Sequence, residues 1–120
     1  MKSGKPIINV RGLECRPEVE EKFNKWYNEV HIPMLLKSGL IKEATRFKRI
    51  GDDEKYPKYL AIYKFEDQQA FERYRKDPAP AAAMEEMKQT WGEDGPQNKW
   101  GVQYEVIKTW SKKEISSYHP

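Results

Sequence analysis

One cysteine and two histidines in 120 residues leave little for metal or disulfide chemistry. Cys15 alone excludes an internal disulfide and any cysteine-rich metal site. His31 and His119 are too few to supply a zinc centre, so no structural metal is expected. No apolar run approaches the ~20 residues of a membrane span, and no signal-like apolar core follows Met1-Lys2-Ser3-Gly4-Lys5-Pro6. A soluble, cytoplasmic protein with no membrane partner is the expectation. No glycine-rich phosphate loop or hydrolase triad is present either. Charge of one sign is scarce too: 22 basic against 19 acidic residues gives +3, with both signs interspersed. Only 38% of the residues are hydrophobic, but 4 Trp, 7 Tyr and 4 Phe supply large buried areas and argue against disorder.

The chain has the length of one domain, with a core expected over about 6–110 and a polar tail over 111–120. Pro6–Leu13 is rich in β-branched residues and reads as a strand. Pro17 opens a helix whose first turn is acidic, with apolar residues at Val19, Phe23, Trp26, Tyr27 and Val30. Pro33 removes a donor and predicts a kink or restart near His31, and Gly39 ends the segment. Leu40–Ile50 and Lys58–Phe65 read as a hairpin around Gly51–Pro57. Asp67 and Asp77 are capping residues for two further helices, and Lys99–Trp110 reads as a long last strand. The order β-α-β-β-α-β with an added helix is that of a ferredoxin-like split βαβ α+β fold with a four-stranded antiparallel sheet.

Such a sheet has helices on one face and leaves the other in need of cover. Alternation places Trp100, Val102, Tyr104, Val106 and Trp110 on one side of the last strand, and Tyr59, Ala61, Tyr63 and Phe65 on one side of the third. These aromatic sets suit the helices. Leu60, Ile62 and Lys64 mix aliphatics with charge, as a sheet-to-sheet homodimer contact does. The RNA-recognition motif shares this element order. Its third-strand signature nevertheless needs rings where this chain has Leu60 and Ile62, and Asn9 stands where a stacking ring is needed on the first strand. No nucleic-acid partner is expected.

The most informative stretch is Phe23-Asn24-Lys25-Trp26-Tyr27-Asn28-Glu29-Val30-His31-Ile32-Pro33-Met34-Leu35-Leu36, followed by Gly39 and by Ala44-Thr45-Arg46-Phe47. It resembles the dimeric α/β-barrel superfamily, especially its EthD-like branch, in which an F-x-x-W/Y helix runs into x-x-H-x-P. The resemblance implies a homodimer that binds a small aromatic or polyketide-like molecule. It extends to a cofactor-independent enzyme of cyclase, decarboxylase or monooxygenase type. In that reading His31 is the catalytic candidate, because an imidazole at the edge of the apolar stripe can touch a pocket with one nitrogen. The bland alternative is that His31 bonds the Glu29 carbonyl freed by Pro33 and holds the kink together. Trp26, Tyr27, Tyr63, Trp91 and Tyr104 are candidates to line an aromatic pocket, and Arg46 to pair with an acidic group. The competing function is a structural or interaction module whose aromatic interior is merely core. An open, partly polar cavity reaching His31 separates the two.

Overall fold

The computed structural model describes residues 4–112. His119 and the expected tail beyond Lys112 lie outside them. The strands are β1 (Ile7–Glu14), β2 (Ile41–Lys48), β3 (Tyr59–Phe65) and β4 (Gln97–Glu105). They form one antiparallel sheet in the order β2-β3-β1-β4, the ferredoxin-like arrangement. β4 starts earlier than expected and ends at Glu105 rather than Trp110. Its partner runs out: Ile7 pairs with Glu105, Val106 donates once more to the Pro6 carbonyl at 2.8 Å, and Pro6 has no N–H to return. β2 is likewise shorter than Leu40–Ile50, because the chain turns at Gly51 with φ +89°.

The first helical segment begins with a 3-10 turn at Pro17–Val19 and continues as α1 (Glu20–Trp26), a π-helical turn (Tyr27–His31) and α2 (Ile32–Leu36). Asp67 caps α3 (Gln68–Lys76) by accepting from the Ala70 N–H at 2.8 Å. Asp77 ends α3 and caps α4 (Pro78–Trp91) by accepting from the Ala79 N–H at 2.9 Å. The core lies between these helices and the face of β3 that carries Tyr59, Ala61, Tyr63 and Phe65. Phe23 and Phe65 are wholly enclosed, and Phe65 meets Phe71 and Tyr74 with ring centroids 5.2 and 5.0 Å away.

The expected facing of β4 is overturned. Register aligns Gly101 with Arg11 and Gln103 with Asn9, and these cross β1 to Ala61 and Tyr63. The helix-facing side of β4 is therefore its polar side. Trp100, Val102 and Tyr104 instead lie on the open face with Leu60, Ile62 and Phe47. Alternation sorts residues into two faces but does not say which face the helices take. The polar strip is tolerated under the helices because it borders a cavity, not a packed core.

Candidate functional site

The cavity has a volume of about 480 Å³ and lies between the helices and the inner face of β1, β3 and β4. Its helical wall depends on the π turn. The N–H of Ile32 donates to the carbonyl of Tyr27, five residues back, in place of the α-helical four. An α-helix advances about 100° per residue, which separates positions 26 and 31 by roughly 140°. A π turn advances roughly 80° per residue and closes that separation to about 40°. His31 consequently stacks on Trp26, with centroids 4.8 Å apart and planes 29° apart, and also meets Tyr27 at 4.8 Å. It is buried, 8% exposed, and not at the stripe edge on the Asn24 and Asn28 side that α-helical spacing predicts. Pro33 follows the turn as the second residue of α2 and removes the donor that regular winding needs.

His31 lines the cavity, and its Nδ1 is enclosed without a hydrogen-bond partner. The reading in which His31 is tied to a carbonyl finds no such bond at Nδ1. Burial pushes the imidazole pKa from 6.5 down to about 4, against the pull of Glu86 and with a further push from Arg11. The ring is therefore neutral at pH 7. Beside it, the Tyr27 and Tyr63 hydroxyls share a hydrogen bond of 2.9 Å. Burial raises both phenols above their ordinary range and lifts Tyr74 to about 12. All three keep their protons at neutral pH.

The sheet supplies the polar floor. Asn9 is buried and its Oδ1 accepts from Gln103 Nε2 at 2.9 Å. Arg11 projects from the same face of β1 and lines the cavity with Asn98 and Gln103. Leu35, Phe71, Pro80, Met84 and Met87 make the apolar side. A neutral imidazole, phenols that hold their protons and two arginines, Arg11 and Arg75, thus border a space with an apolar wall, which suits a small molecule with one polar end.

Of the residues singled out from sequence, Tyr27, His31 and Tyr63 meet at this cavity. Trp26 backs it: it lies under His31 and donates from Nε1 to Glu86 Oε1 at 2.9 Å. Trp91 packs edge-on against Trp26 with Lys22 over its ring, and does not line the cavity. Arg46 lies away from the cavity over Phe23, Tyr27 and Tyr59 and donates to Asn28 Oδ1 at 2.9 Å. Tyr104 is on the opposite face of the sheet and is 56% exposed. Sequence reasoning passed over Asn9, Arg11, Gln103 and Tyr74. The signal for the first two was present: they alternate with Ile8 and Val10 inside a central strand, where polar residues need a reason.

Comparison with known proteins places this geometry in a family. The model of the family described as Domain of unknown function (DUF4286) matches residues 7–96. The chain belongs to the DUF4286 family. Its match thus spans β1 through the last helix and includes the whole helical wall of the cavity. Core atranone cluster (CAC) protein 1 of Stachybotrys chlorohalonatus is 40% identical over 48 residues, which is 40% of this chain and only 20% of that protein's length. Three solved structures share the fold of this DUF4286 protein. An ethyl tert-butyl ether d (EthD) family protein of Bacillus halodurans has a TM-score of 0.61 at 14% identity, covering 84% of this chain and 99% of its own. A dimeric protein of ferredoxin-like fold from Bacteroides fragilis gives 0.62 at 13%, covering 88% and 100%. SnoaB, a cofactor-independent oxygenase from Streptomyces nogalater, gives 0.56 at 13%, covering 87% and 93%. The fold is thus that of the ferredoxin-like α+β proteins that include EthD-like and dimeric members. Among the described residues no helix is long and apolar enough to cross a membrane, and no cluster of metal-binding side chains occurs.

Proposed function

We propose that this protein takes a small, largely apolar carbonyl compound into the helix–sheet cavity and moves a proton on it, with His31 as the base. The observation that carries this reading is the buried, neutral imidazole that lines the cavity beside two protonated phenols. In the proposed step the imidazole removes a proton from the carbon next to the carbonyl, and the C–H electrons move into an enolate. The Tyr27–Tyr63 pair holds one hydroxyl proton beyond their mutual bond, and that proton is available to the enolate oxygen. The imidazolium then returns a proton to carbon or oxygen. Such proton abstraction opens both cyclisation and cofactor-independent oxygenation of aromatic or polyketide-like compounds, and the fold likeness to SnoaB favours it. A purely structural module is disfavoured by the cavity, which leaves the interior unfilled. The test is deuterium uptake from D2O into β-tetralone, an aryl-fused ketone with an acidic C–H, followed by NMR. Uptake well above the buffer rate is expected; uptake at the buffer rate would overturn the reading.

The working unit in this proposal is a homodimer joined through the open sheet faces. Phe47, Trp100 and Tyr104 stand there 46%, 42% and 56% exposed, around Leu60 and a hollow of about 250 Å³. Rings in such number on one face mark an association surface. Trp100→Glu is expected to weaken the dimer by about 30-fold or more, since a central aromatic anchor contributes about 2 kcal/mol or more. Light scattering across micromolar concentrations measures it. A wild-type chain that stays at 14.2 kDa there would rule the dimer out.

A further inference from the structure

Arg11 is a cation seated by design of the neighbouring strand. Its guanidinium lies over Gly101 of β4, in space that a β-carbon there would take from it. In one orientation the Asn98 amide donates to the Trp100 carbonyl at 3.0 Å and accepts from the Arg11 guanidinium. No carboxylate among the described residues forms an ion pair with Arg11, whereas Arg75 at the cavity rim has Glu72 at 3.7 Å. Ionisable groups that feel the Arg11 charge include His31 and Tyr27 from the π turn, Tyr63 from β3 and Tyr74 from α3. None of them is an anion at neutral pH. A half-buried guanidinium bordering a cavity with an apolar wall, with donors to spare and no counter-charge, is a receptor for a planar anion.

We propose that Arg11 anchors an ionised acid group of the ligand, so that the substrates of this cavity are small aromatic or alicyclic carboxylates. This rests on the reading that the cavity takes a small molecule. It adds an anchor beyond the apolar contacts that a neutral ketone such as β-tetralone uses, so a neutral ligand still enters the cavity, more weakly than a carboxylate. The ring of such a ligand would lie among Leu35, Phe71, Met84 and Met87, with its carboxylate at Arg11. Gly101 then acts as a positioning residue for the anchor.

The test uses naphthoate and naphthamide, which share shape and differ in charge, with binding read by tryptophan fluorescence and calorimetry at about pH 7.5. Wild type is expected to bind naphthoate at least about tenfold more tightly than naphthamide, as a charge-assisted pair implies. Arg11→Gln is expected to remove that preference, chiefly by weakening naphthoate binding about tenfold or more. Gly101→Val keeps the arginine but pushes its guanidinium off Gly101, and is expected to reduce the preference. The second variant keeps the test decisive where the first fails to fold. Equal binding of the two probes to wild type, or a preference that survives both substitutions, would overturn the anchor and leave the cavity reading intact. Binding of neither probe would remove both.

Discussion

His31→Gln is expected to lower deuterium exchange into β-tetralone by ~10²- to 10⁴-fold, the usual worth of a positioned proton acceptor. The fold should lose far less. Its Nδ1 makes no hydrogen bond, so removal of the imidazole costs chiefly its ring contacts with Trp26 and Tyr27, about 0.5–1.5 kcal/mol. A scaffold histidine would show the reverse pattern, with a large fall in Tm and an unchanged exchange rate. The pH profile adds a second reading. The base works only when neutral, and burial holds its pKa near 4, so exchange should stay level from neutral pH down to about pH 5. A histidine of ordinary pKa would lose half its activity near 6.5. The same shift makes stability depend on pH. Between the ordinary 6.5 and about 4 the unfolded chain binds a proton that the folded imidazole refuses. Stability therefore falls as pH drops through that window and is level on either side of it. The loss from this residue is on the order of 3 kcal/mol, and His31→Gln should abolish it.

Phe65→Ala is expected to destabilise the protein by about 3–5 kcal/mol, measured by urea unfolding, with a matching fall in Tm. Phe65 ends β3, has no exposed surface, and holds both Phe71 and Tyr74 of α3 against the sheet. Collapse into the space left behind is hindered because β3 lies between β2 and β1 and cannot shift towards the helices. Tyr74 also borders the cavity, so the variant should lose ligand affinity as well as stability. A change below about 1 kcal/mol would mean that the α3–sheet contact is not part of the core.

The element order was readable because its signals are local. Pro17, Asp67 and Asp77 mark helix starts, and Gly39 and Gly51 mark reversals with positive φ. The site was readable only on its helical side. Phe23, Trp26, Tyr27 and His31 are close in sequence, and Pro33 announces the irregular turn. The depth of His31 was not readable, since it follows from a change of winding that periodicity counting assumes away. The sheet side was misread for a different reason. A rule that sends the aromatic face to the helices holds for a filled core, and it misplaces Tyr104 where the inner face borders a cavity. Asn9, Arg11 and Gln103 break the hydrophobic pattern at the place where a ligand is proposed to enter.

In the proposed mechanism His31 is a neutral base in contact with a bound molecule. An NMR titration of its imidazole nitrogens, with and without β-tetralone, tests it most directly, the signals being assigned by their loss in His31→Gln. A midpoint near 4 is expected in the free protein, with displaced His31 signals at neutral pH on addition of the ketone. A midpoint at the ordinary 6.5, with signals that ignore the ketone, would contradict it.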